Sequence, residues 1–154
     1  MQVNSEQAIL ESASRVFETS AFLSVAPLHG NEELADPDQS ATMTFRGAAA
    51  GRVSLRVSSE MLDMIANNLL EPSEDPNEQA QRRGDVLKEM LNMLCGNLLT
   101  EFFGAEPVFD LSPPELLGND ELPPPSSQVM HRLLMNVEDT LAEVLFEVQE
   151  RTNC

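Results

Sequence analysis

Residues 82–104, "RRGDVLKEMLNMLCGNLLTEFFG", read as one helix with an unusual solvent face. At about 100° per residue, Leu87, Leu91, Leu94 and Leu98 fall on one side with Val86, Met90 and Met93 beside them, a broad core stripe. Opposite runs a narrow row of Asp85, Glu89, Asn92, Gly96 and Thr100. Asn ranks low as a helix former, and an interior Gly costs about 1 kcal/mol relative to Ala. An exposed Gly also clears space for another surface to approach the backbone. The row is either an ordinary solvated face or a docking face. Neither reading names a reaction.

Around this helix, 154 residues suffice for one domain with a real core and are short for two. The expected unit is 1–154. The seven aromatic residues are all Phe, with eight Met, so the core should be aliphatic and adaptable. A formal charge of -17 argues against nucleic acid and anionic membranes as partners, because both need clustered Lys and Arg. It suits either a self-repelling, soluble surface or attraction to a basic partner face. Cys95 and Cys154 do not make a disulfide framework. No basic-then-apolar leader opens the chain and no apolar run nears 20 residues, which gives a cytoplasmic expectation.

Residues 4–20 carry Ile9, Ala13, Val16 and Phe17 at helical spacing after possible caps at Asn4 and Ser5. Residues 21–28 could form a strand, and 29–40 read as an exposed acidic loop broken by Pro37. Two alternating runs follow, with Met43 and Phe45, then Val53, Leu55 and Val57, on one side. The short connection between Gly47 and Gly51 predicts antiparallel strands with one wet face. "SSEMLDMIANNLL" (58–70) has a Ser cap and an apolar stripe of Met61, Leu62, Ile65 and Leu69, so it is a helix. Residues 71–79 read as a loop, 107–112 as a short strand, and the rest of 105–128 as a proline-rich connection that excludes regular helix. The tail, 129–151, suits a helix by period and equally suits two strands around Glu138-Asp139-Thr140. His29 falls in a loop and His131 in the tail; Cys95 has no basic neighbour to activate it and reads as a small buried side chain.

Asp85-x-x-x-Glu89-x-x-Asn92, followed by Met93, Gly96 and Asn97, resembles the signature helix of the CheC/CheX chemotaxis phosphatases, closest to the CheX type. Residues 13–19, the hairpin around Phe45-Arg46-Gly47 and Gly51-Arg52-Val53, and residues 64–70 extend the likeness over most of 8–115. Pro113 and Pro114 stand where the family carries a proline, a little over twenty residues after the Asn. Only one Glu-x-x-Asn motif is present, since residues 58–70 have Glu60-x-x-Asp63, and this suits the single-site CheX type. The acidic, proline-rich loops at 29–40, 71–79 and 118–128 depart from the pattern.

The resemblance implies an α/β (α+β) single domain, an antiparallel-rich sheet with two long helices packed on one face and a hairpin tail. It implies a phosphatase acting on the aspartyl phosphate of a CheY-like response-regulator receiver. Glu89 and Asn92 would be the catalytic pair, and Asp85 and Gly96 partner-binding residues. Asp85 would support the interface or cap the helix start. No cofactor would belong to the chain, the Mg²⁺ being carried by the receiver; a homodimer through a strand edge or helix is also implied. Two rivals remain: a non-catalytic CheX-like adaptor that binds a receiver or other chemotaxis component, and an acidic module unrelated to phosphate. Asp85 and Glu89 as metal ligands lack a third group beside them.

Overall fold

The computed structural model describes residues 5–21, 23–28, 34, 36–69, 74–117 and 129–149. In chain order these form α1 (Ser5–Ser20), β1 (Val25–Pro27), β2 (Gln39–Arg46), β3 (Ala50–Val57), α2 (Ser59–Leu69), α3 (Pro76–Phe103), β4 (Asp110–Leu111), β5 (Glu115–Leu117), β6 (Val129–Val137) and β7 (Thr140–Gln149). The expected architecture is present: one α+β domain on a single antiparallel sheet. Its order is β1-β6-β7-β3-β2, and β4 and β5 both pair with the outer edge of β2.

The alternation in β2 and β3 aims Met43, Phe45, Val53, Leu55 and Val57 at the helices, all buried. Ala142, Val144 and Phe146 of β7 and Met135 and Val137 of β6 continue that inner face. Gly51 must be glycine here, because a Cβ would lie 1.9 Å from the Glu147 carbonyl oxygen on β7. On the inner face α3 contributes Leu87, Met90, Leu91, Leu94, Cys95, Leu98 and Leu99, and α1 contributes Ile9, Ala13, Val16 and Phe17. Burying one such side chain is worth about 1.5–3 kcal/mol.

The outer face is wet in chemistry yet not in access. Glu143 and Glu147 are almost fully buried, clamped by Arg56 and Arg132 and by Arg52 respectively. Thr42 and Ser54 share a 3.0 Å hydroxyl contact beside them. Ion pairs between neighbouring strands cover this side in place of helices.

Three boundaries differ from the sequence reading. The long helix begins at Pro76 rather than 82: Asp75 caps it by accepting from the Asn77 N–H at 3.0 Å, and Pro76 occupies the first turn, where a missing N–H costs nothing. Most of 71–79 therefore leads into or belongs to the helix, and Asp85 lies well inside it with no capping role. The strand expected over 107–112 shrinks to Asp110–Leu111, while a further strand, β5, sits within the proline-rich connection. Gln39 and Ser40, expected in a loop, begin β2. Ser58 caps α2 as expected, accepting from Met61 N–H at 3.1 Å. Asn4, His29 and 118–128 lie outside the described residues.

The tail is a hairpin. A two-residue turn at Glu138 (φ 48°) and Asp139 (φ 63°) joins β6 to β7, with the Asp139 N–H donating to Asn136 Oδ1 at 2.8 Å. His131 is a strand residue, its ring 5.6 Å from that of Phe102. Left-handed backbone is costly for non-glycine residues. Asp139→Gly is therefore expected to raise unfolding stability by about 0.5 kcal/mol in urea titration, and a loss would mean that the carboxylate contributes to the turn.

Candidate functional site

Because Leu87, Leu91, Leu94 and Leu98 face the sheet, α3 is held at one rotation about its axis. Asp85, Glu89, Asn92, Gly96 and Thr100 consequently form an exposed file along its outer side, as the spacing predicts. A cleft of about 520 Å³ separates Asp85, Lys88, Glu89 and Asn92 from residues 111–114, so Pro113 and Pro114 stand across from Asn92. Ser112 pins this far wall to the sheet: its N–H donates to Thr44 O at 2.9 Å and its Oγ accepts from Thr44 N–H at 2.8 Å.

On the other side of Asn92 a groove of about 250 Å³ opens between α3 and α1, floored by Met93 and Gly96 and bounded by Arg15 and Thr19. Arg15 ties the helices together there, donating to Asn97 Oδ1 at 3.1 Å and Glu101 Oε1 at 2.9 Å. Asn92 thus stands on a ridge between two depressions. Asn97 offers a contrast, because it uses both ends of its amide, donating to Met93 O at 2.9 Å while accepting from Arg15. Among the described residues, the side chains of Asn92, Glu89, Asp85 and Lys88 have no hydrogen-bond or ion-pair partner. A Cβ on Gly96 would meet nothing within 4 Å, so no internal packing requires glycine at that position.

The sequence profile of the family described as "Chemotaxis phosphatase CheX" matches residues 39–132, more than half of the chain. The chain belongs to the CheX family. Solved structures share its fold. Chemotaxis protein CheX from Vibrio vulnificus is 20% identical, with a TM-score of 0.72 over 96% of this chain and 97% of that one. CheX from Desulfovibrio desulfuricans is 13% identical, with a TM-score of 0.74 over 96% of this chain and all of that one. The CheX of a CheX-CheY-BeF3-Mg²⁺ complex from Borrelia burgdorferi is 21% identical, with a TM-score of 0.66 over 97% of this chain and 100% of that one. No curated protein matches the chain in sequence.

Within this CheX-family frame, Asp63 on α2 serves the fold rather than the exposed file. Asp63 binds Arg83 of α3 through both oxygens, at 2.6 and 2.9 Å, and accepts from Gln79 at 2.8 Å. The hydrogen bond from Arg83 holds the Asp63 carboxyl below its ordinary value. This ion pair locks α2 onto α3. Cys95 is fully buried and its thiol is pushed up to about 12 by desolvation, so it stays protonated and unreactive. A separate cavity of about 460 Å³ on the outer sheet face includes Arg52 and Glu147, which are already paired with each other. Among the described residues no group of three or more His, Cys, Asp or Glu could hold a metal ion, and no helix is long and apolar enough to cross a membrane.

The sequence reading found the outer file and the prolines, missed the ties made by Arg15 and Ser112, and took Lys88 only as a residue that keeps the helix soluble. Arg15 and Ser112 act through partners 68 or more residues away, which no local spacing encodes. Lys88 was visible as the residue preceding Glu89.

Two stability measurements follow from this geometry. Gly96→Ala should raise the unfolding free energy by about 0.5–1 kcal/mol, since the methyl meets open space. A decrease would imply that the glycine is needed for the fold. Asp63→Asn should cost about 1 kcal/mol at neutral pH, the pair being partly exposed. Because the folded carboxyl titrates below the ordinary 3.8, its contribution is present above that value and fades as pH falls through the lowered one. Wild-type and variant stabilities should therefore converge in acid.

Proposed function

We propose that this chain hydrolyses the aspartyl phosphate of a CheY-like receiver domain, terminating a two-component chemotaxis signal. The observation that carries the reading is Asn92: a carboxamide on a ridge, one turn from the carboxylate of Glu89, both without a partner among the described residues, in a CheX-family chain. A receiver holds its phosphoryl group on its own Asp, beside a Lys and a divalent ion, and lacks an in-line water. Phosphoryl transfer depends on positioning and charge. The Asn92 amide can both donate and accept, and it stays neutral beside phosphoryl oxygens, so it suits orienting that water. The water oxygen bonds to phosphorus as the acyl phosphate P–O bond breaks, leaving the receiver carboxylate and inorganic phosphate, which takes the proton.

Glu89 is assigned to docking. An anion aimed at the phosphoryl group would be repelled, whereas pairing with the receiver's Lys sets the register of the two proteins. Asp85 extends the interface along the file, and Gly96 lets a partner loop close over the helix. The Mg²⁺ belongs to the receiver substrate. The Borrelia burgdorferi structure, which holds CheX with CheY, BeF3 and Mg²⁺, supports a receiver as partner.

Decay of the source organism's phosphorylated CheY-type receivers, taken one by one, tests this reading. The wild-type chain should hasten decay of at least one. Asn92→Ala should lose about 10²-fold in rate, about 2.7 kcal/mol of barrier, while still binding. Glu89→Ala should lose affinity. Receivers that bind but decay at their intrinsic rate would leave an adaptor on a phosphatase frame.

A further inference from the structure

Nine basic residues face 26 acidic ones in this chain, and eight of the nine are arginine. Lys88 is the sole lysine. Six arginines, at 15, 52, 56, 82, 83 and 132, are paired with carboxylates. Lys88 is paired with none among the described residues, although Asp85 and Glu89 share its side of α3. It is half-buried and lines the cleft opposite residues 111–114, one helical turn before Asn92. A cation in a chain of charge -17 that leaves its acidic neighbours unpaired is available to an anion brought by the partner.

We infer that Lys88 is a substrate-binding residue whose ammonium contacts the phosphoryl oxygens of the receiver. The inference rests on the proposed reading of the site and adds to it. Glu89, in pairing with the receiver's Lys, draws that cation's field away from the phosphoryl group and adds a negative charge nearby. Lys88 adjoins Glu89 and shares the face of Asn92, about 6 Å of helix rise away, so it can restore the balance. An ammonium suits this contact, being a compact point charge with three rotatable donors, whereas guanidinium favours fixed bidentate pairing. Its methylenes can lie along the cleft wall while the charge projects.

The test measures affinity for one receiver in two forms: unmodified, and loaded with beryllofluoride and Mg²⁺ as a phosphoryl analogue. Lys88→Met should weaken binding of the loaded form about tenfold and leave the unmodified form unchanged. Lys88→Arg, which keeps the charge but not the compact donor, should lose less than Lys88→Met on the loaded form and leave the unmodified form unchanged. Thermal midpoints of all three chains should agree. Equal affinity of Lys88→Met and wild type for the loaded receiver would overturn the inference. So would equal losses on both forms, which would place Lys88 against a receiver carboxylate. A wild-type chain that leaves phosphoreceiver decay unchanged, yet prefers the loaded form through Lys88, retires the hydrolase reading and supports this one. A wild-type chain that binds neither form overturns both.

Discussion

The rotation of α3 about its own axis is the constraint on which the rest of this structure depends. Leu87, Leu91, Leu94, Cys95 and Leu98 are each at most 1% exposed, pressed against the inner face of the sheet and the helices beside it. With 3.6 residues per turn, fixing that stripe leaves a single direction for Asp85, Glu89, Asn92 and Gly96. Turning the helix enough to hide Asn92 would expose leucines worth about 1.5–3 kcal/mol each. The site is therefore held by apolar packing on the reverse of the same helix, without a hydrogen bond to the Asn92 side chain among the described residues.

Two polar ties keep the neighbouring elements aligned with that helix. Asp63 and Arg83 fasten α2, and Arg15 with Asn97 and Glu101 fastens α1. Both use arginine, whose planar fork reaches two acceptor atoms at once. On the far side of the sheet, arginines again do the joining, with Glu143 and Glu147 buried between strands. A chain so rich in acid uses its arginines for internal order and keeps its outward charge negative.

Much of this was legible in the sequence because it is local. The periods of 82–104 and of the paired runs before it fix a helix face and a sheet face by spacing alone. What spacing could not supply is sequence-distant. Thr44 meets Ser112 across 68 residues, and Arg15 meets Asn97 across 82. The start of α3 was misplaced because Asp75-Pro76 resembles a loop until the cap is seen to accept the Asn77 N–H. The tail's apolar residues fit both periods, and the choice of hairpin came from family likeness; the structure makes it with two left-handed residues that carry no glycine.

The ridge that bears Asn92 draws its two flanks from separate parts of the chain, residues 15–19 on one side and 111–114 on the other. Neither flank supplies the helix its core stripe. Val16 and Phe17 pack in the core and Arg15 and Ser112 fasten their segments, but outward residues such as Thr19 and Pro113 can change without turning α3, so the surface on each side can diverge independently while the central carboxamide keeps its bearing. Such a division lets the surroundings of a fixed carboxamide vary in two short segments while the helix itself is left untouched.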